Sequence, residues 1–317
     1  MPLPAVFPFH NDTLNVKQVL SLMSFLTNLI NGLSLGSVYA IIALGYTMVY
    51  GIAKMLNFAH GDVIMIGGYV CFVSVMSLGL GAIPSILLAI IACTLLGILV
   101  KRLAYKPLRQ APSLAVLITA IGVSYFLQNA ALLIWGSAGK VFPSLLEGIP
   151  SLHLFDGELT VSGKALVNIV VCLITMTVLT LFTSKTRMGK AMRAVSEDKG
   201  AAQLMGINVD ATISMTFAIG SGLAAVAGVL LCSTYPMLMP TTGSMPGIKA
   251  FTAAVFGGIG SIPGAMLGGI LLGMVECISY KITAIAPYTD AIEFSLLIII
   301  LLVRPTGFLG KKRREKV

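Results

Sequence analysis

The chain has 317 residues, of which 57% are hydrophobic and 10% charged, with a mean hydropathy of +0.96. Soluble domains carry about a quarter charged residues, and one of this composition would show water large apolar patches, so lipid is the solvent for most of the surface. The net charge of +9 sits in short loops between apolar runs, not on a polar basic face, which excludes a nucleic-acid binder and reads as the orientation signal of a membrane protein.

Segment 1–19 reads as an N-terminal extension. Pro2, Pro4 and Pro8 precede the polar stretch 10–17 with no early basic region, so it lacks a signal-peptide pattern. A spanning helix needs about 20 mostly apolar residues. Runs of that kind fall near 20–52, 62–80, 83–100, 113–135, 165–183, 211–235, 249–281 and 288–303. Backbone polar groups in lipid must be satisfied within the segment, so these runs are helices. Run 20–52 is interrupted at Asn31, Gly32 and Gly36 and is a candidate for a break. Run 249–281 is longer than one span, roughly 50 Å at helical rise. Gly257, Gly258, Gly260 and Pro263 divide it into segments of about 247–260 and 264–281. The predicted fold is an all-α polytopic membrane protein of about eight to ten transmembrane or half-membrane helices, with 20–303 a single membrane domain.

Loop 101–112 carries Lys101, Arg102, Lys106 and Arg109 without an acid, and loop 184–210 carries Lys185, Arg187, Lys190, Arg193 and Lys199. The tail 304–317 is also basic, whereas loop 136–164 has Glu147, Asp156 and Glu158 against Lys140 and Lys164. The first three are expected in the cytoplasm and the last outside. The tail reaches the cytoplasmic side only if 249–281 is broken, so charge and glycine pattern agree. Gly32/Gly36, Gly264/Gly268 and Gly269/Gly273 have GxxxG spacing, and Gly220/Ala224/Gly228 the related small-residue spacing. These let helix backbones approach, while glycine-interrupted segments at both ends of a chain also mark a transporter's substrate path.

The chain has no phosphate-binding loop; the glycine-to-lysine string 136–140 is too short and lacks the following hydroxyl. ATP hydrolysis by this chain is therefore not expected. The histidines at 10, 60 and 153 are far apart, and the cysteines at 71, 93, 172, 232 and 277 lie in apolar runs. No metal site, catalytic set or cofactor is read from them. Asn57, His60 and Asp62 form a polar junction between two runs. It is either part of a substrate path, together with Gly257 and Gly258, or a helix junction in which Asp62 caps the next helix. Glu276 and Glu293 are acids within membrane runs; they face protein or water, or lie near segment ends. In loop 184–210, Ser196 is expected to cap a helix about 15 Å long, with Glu197 and Asp198 in its first turn. Ala201, Ala202 and Met205 follow, and Gly206 ends it. This helix is either a turn at the surface or an insertion into a cytoplasmic partner.

The strings NGLSLGSVYAIIALGYTMVYGI (31–52), NFAHGD (57–62), RMGKAMRAVSEDKGAAQLMGIN (187–208) and GIKAFTAAVFGGIGSIPGAMLGG (247–269) resemble the branched-chain amino-acid permeases of ABC importers. Within these, the chain is similar to the LivH type of the LivHM subfamily. The resemblance runs from about residue 25 to 310. It implies a permease subunit of the bacterial inner membrane, working by alternating access with a homologous second permease, two cytoplasmic ATPases and a periplasmic substrate-binding protein. It also implies that residues 197–206 are the ATPase-coupling segment. Leucine, isoleucine and valine are the implied substrates, with urea, amides, nucleosides or other amino acids as alternatives. An ion-coupled carrier using Asp62, Glu276 and Glu293 is a competing reading, against which the capped cytoplasmic helix speaks.

Overall fold

A computed structural model describes residues 11–109, 111–146, 148–154 and 159–310. Glu147, Asp156, Glu158, the first ten residues and the tail from 311 lie outside the described residues. The axis of the fold is α1 (Asn11–Ala53), whose apolar core window is 94% buried within the chain. Around it stand α2 (His60–Met76), α3 (Ala82–Val100), α4 (Ser113–Trp135), α5 (Gly163–Lys185), α6 (Arg187–Glu197), α7 (Lys199–Leu204), α8 (Val209–Thr234), α9 (Ser244–Gly257), α10 (Ile262–Lys281) and α11 (Thr289–Val303). Among the described residues, seven helices are long and apolar enough to cross a membrane, and α2 is a shorter apolar helix. The rim helices α3, α4, α5 and α11 expose rows of leucine, isoleucine and valine, such as Ile83, Leu95, Leu133 and Leu302. In lipid those side chains are at home.

The expected break in 20–52 does not occur: α1 is continuous through Asn31, Gly32 and Gly36. An interior glycine weakens a helix by about 1 kcal/mol, but here each one admits a neighbouring backbone. A Cβ at Gly36 would lie 2.7 Å from the Ile270 Cα, and one at Gly273 would lie 2.2 Å from the Gly36 nitrogen. The two GxxxG pairs of α1 and α10 therefore interlock. A second small-residue strip on α8 does the same elsewhere, Gly220 lying against the Gly45 carbonyl and Gly228 against that of Ile64.

The break in 249–281 is present. Gly258 and Gly260 have φ of +101° and +96°, a region L-residues rarely adopt. Ser261 then caps α10, its Oγ accepting from the Gly264 amide at 3.2 Å, with Pro263 in the first turn.

Two ends of the bundle are distinct. At one, β1 (Lys140–Val141) pairs antiparallel with β4 (Met237–Leu238), and β2 (Leu152–Leu154) with β3 (Leu159–Val161). At the other, Arg109 binds Asp210, Lys199 donates to the Ala53 carbonyl, and the Phe308 and Leu309 amides donate to the Phe256 and Gly257 carbonyls. The described parts of the basic loops and the start of the tail thus share one end, as the parity of the spans requires.

Candidate functional site

The polar junction forms where two helices begin inside the bundle. A Cβ on Gly61 would meet the Gly243 carbonyl at 2.5 Å, and Gly247 lies against the Gly61 backbone. The first turns of α2 and α9 thus cross with only backbone between them. Non-helical chain at this depth is tolerated where protein surrounds it, and interrupted helices of this kind form transporter pathways.

Asp62 does not cap α2. The cap position is Ala59, which makes no side-chain cap bond. Asp62 sits three residues further on, and its Oδ1 accepts from Gln128 Nε2 of α4 at 2.9 Å. Gln128 also reaches the Ser244 hydroxyl at 3.2 Å, so one amide ties α2, α4 and α9. Asn57 Oδ1 accepts from the Tyr105 hydroxyl at 2.8 Å. His60 is 1% exposed and edge-on to Tyr46, ring centroids 4.6 Å apart. Neither of its ring nitrogens has a hydrogen-bond partner among the described residues. Gly257 and Gly258 belong elsewhere: Gly257 packs on Gly264 and Gly258 on Gly310, at the basic end.

Glu276 and Glu293 face protein, and they share a cation that the sequence reading missed. Lys249 Nζ lies 2.8 Å from Glu276 Oε1, 2.9 Å from Asp290 Oδ1 and 3.3 Å from Glu293 Oε2. This joins α9, α10 and α11 through one ammonium group. Lys249, Glu276 and Glu293 are all buried, so each is intolerable without the others. The signal was present: a lysine inside the apolar string GIKAFTAAV needs an acid within the fold.

The loop 184–210 is two helices rather than one. Ser196 caps nothing; its hydroxyl donates to the Arg193 carbonyl at 2.7 Å inside α6. Glu197 closes α6, and Asp198 caps α7, accepting from the Gly200 and Ala201 amides at 2.8 and 3.0 Å. Six residues make α7 about 9 Å long, shorter than expected. An aspartate offers its carboxylate from the cap position more effectively than a serine one turn earlier offers a hydroxyl that is already engaged. Gly206 ends the helix at φ +79°. Its amide donates to the Gln203 carbonyl and that of Ile207 to Ala202, both at 3.0 Å, the paired bonds of a Schellman turn. The result splits the expected docking face. Ala202 is buried within the chain, while Leu204 and Met205 are 90% and 82% exposed.

Both flanks of α7 are anchored. Lys199 donates to the Ala53 carbonyl at the end of α1 at 2.9 Å; burial and the nearby Arg109 cation hold its pKa below the usual lysine value. After α7, Asp210 binds Lys101 at 2.7 Å and Arg109 at 2.5 Å, with Lys106 at 3.6 Å. A π-helical turn, Lys101–Tyr105, follows α3 and sets Lys101 inward.

Two cavities flank α1. One of about 730 Å³ opens at the basic end among Met48, Gly51, Arg193, Glu197 and Gly260. One of about 510 Å³ opens at the opposite end, between α1, α5, α8 and α10.

Residues 28–301 match the family described as branched-chain amino acid transport system / permease component. The chain is 47% identical to the high-affinity branched-chain amino acid transport system permease protein BraD of Pseudomonas aeruginosa, over 92% of this chain and 98% of that one. It is 48% identical to the corresponding LivH protein of Salmonella typhimurium and 46% to that of Escherichia coli K12, with the same shares covered.

Proposed function

We propose, from the premise that this chain belongs to the family of branched-chain amino acid transport system permease components, that it supplies one half of the membrane pathway of an importer driven by separate ATPases. The chain is a multi-pass membrane protein and a transport subunit of the high-affinity branched-chain type. The finer reading is that it sits in the bacterial inner membrane and carries leucine, isoleucine and valine. Its partners are a homologous second permease, two cytoplasmic ATPases and a periplasmic binding protein. The basic end, with loops 101–112 and 184–210, faces the cytoplasm.

One observation carries the coupling part of this reading. The tip of α7 exposes Leu204 and Met205 beside a buried Ala202. Two large apolar side chains on a capped turn suit an apolar pocket on a protein partner. With Lys199 tied to α1 and Asp210 to the chain after α3, a push on this tip reaches the central helix through few intervening bonds. ATP-driven movement of the partner then shifts α1 and its crossing with α2 and α9, alternating the open side.

The test is uptake of radiolabelled leucine at low concentration by cells carrying wild-type chain or the Leu204→Asp/Met205→Asp double variant, with co-purification of the ATPases. The variant is expected to insert normally but lose the ATPases and uptake together. Normal ATPase recovery with normal uptake would remove α7 as the docking element. Absence of leucine uptake that depends on the wild-type chain would remove the substrate assignment.

A further inference from the structure

We infer that the cavity of about 510 Å³ at the end opposite α7 is a binding site of this chain for a zwitterionic α-amino acid, whose carboxylate is received by Lys164 and Lys281. The inference rests on the transport reading above and adds to it a place and a set of groups.

The cavity's size lies within the range of small-molecule sites, about 300–1,000 Å³. Its lining includes two lysines, Lys164 at the start of α5 and Lys281 at the end of α10, and, among the described residues, no acidic one. Glu276 precedes the lining residue Cys277 in the chain but is held by Lys249. The lining therefore favours an anionic group. Beneath it lies Asn168, fully buried, whose Nδ2 donates to the hydroxyls of two lining residues, Ser34 at 3.0 Å and Thr234 at 3.3 Å. Its Oδ1 has no hydrogen-bond partner among the described residues. Asn168 does not itself line the cavity; its amide holds in place the two hydroxyls that do.

Asn28 and Asn31 add amide oxygens to the lining, and Leu35 and Ala165 add apolar surface. Cationic groups for a carboxylate, neutral oxygens for an ammonium and apolar wall for a side chain together describe an amino acid. A phosphate needs only the first of these. The wall is also formed by α1, the helix the coupling loop holds at its other end, so occupancy and the position of α1 are linked.

Cys277 lines the cavity and is half-buried, whereas the other four cysteines are buried, which makes it a reporter. Membranes from cells expressing the full transporter are treated with a maleimide, and modification of Cys277 is followed by mass spectrometry. Leucine is expected to slow the reaction about tenfold at ten times its half-protecting concentration, because the unoccupied fraction falls as 1/(1 + [L]/Kd). Leucinamide, without the carboxylate, is expected to give no protection. In Lys164→Gln/Lys281→Gln, protection by leucine is expected to vanish while Cys277 still reacts. Failure of leucine to protect in cells that take it up normally overturns this site and leaves the transport reading intact. Equal protection by inorganic phosphate or by phosphatidylglycerol vesicles overturns it in favour of a general anion or lipid site. Cells in which the chain supports no leucine uptake defeat the transport reading, and this site falls with it.

Discussion

Substituting Gly273 by alanine adds one methyl group where α10 meets α1, and the structure sets its effect. The new Cβ would stand 2.2 Å from the Gly36 nitrogen and 2.3 Å from its Cα. Both are backbone atoms in the middle of a buried helix, so no side chain can swing aside. The nearest atom is about 1.2 Å inside ordinary contact distance, and the helices must part by roughly that amount. A gap of about 0.5–1 Å forfeits a quarter to a half of each atom pair's dispersion well, itself about 0.1–0.2 kcal/mol. Over a strip of roughly thirty pairs the loss is about 1–3 kcal/mol, which agrees with the usual range for overpacked interiors. Gly122 on α4 is the internal control, since a Cβ there meets nothing within 4 Å. Gly122→Ala gains helix propensity, up to about 1 kcal/mol, and meets no obstacle. Thermal unfolding of the purified proteins in one detergent reads both. Gly273→Ala is expected to melt several degrees below wild type and Gly122→Ala at or above it. If the two melt alike, the interlocked glycines do not set the α1–α10 distance.

Asp210→Ala strands Lys101, whose side chain is 3% exposed. Ser214 remains a partner at 2.8 Å and Asp210 itself is 40% exposed, so the expected cost is about 1–2 kcal/mol rather than the larger loss of a fully buried pair. Adding Lys101→Met should recover most of it in denaturation of the purified protein, and a double variant no more stable than the single would refute the pairing. Gly206→Val places a β-branched residue at φ +79° and is expected to unwind the end of α7. Loss of ATPase recovery with unchanged membrane insertion is the readout, and normal recovery would contradict it. In a cysteine-free background, Ser151→Cys should react with an impermeant thiol reagent in intact cells and Lys312→Cys should not. The opposite pattern would reverse the assigned orientation.

Much of the architecture was legible because lipid imposes simple rules. Run lengths marked the spans, and loop charge forced the break at Gly258 and Gly260. The errors came where one residue type serves two purposes. Gly32 and Gly36 read as a helix contact and also as a candidate break, and the facing Gly269 and Gly273 decide between them. Ser196 and Asp198 are both capping residues, two apart, and the choice depends on which already has a partner. Asp62 looked like a cap because Gln128, its hydrogen-bond donor, lies on another helix. The docking face of α7 was read with Ala202 in it for a related reason: small residues suit a partner's groove and the chain's own interior alike, and Ala202 is buried within the chain. Lys249 was overlooked among glycines and alanines although an isolated lysine in such a run demands an anion.

That lysine also constrains how the chain is made. With 14 residues, α9 is about 21 Å long, short of a hydrocarbon core about 30 Å thick, and a lysine near mid-membrane resists insertion by about 2.5–3.5 kcal/mol. Glu276 and Glu293, its buried counter-charges, are synthesised after it, the second only once α11 emerges. Segment α9 therefore has no stable residence in the bilayer while the ribosome is still completing α10. It gains its nearest counter-charge, Glu276, with α10 and the other two, Asp290 and Glu293, only with α11, so the three C-terminal helices are expected to settle together.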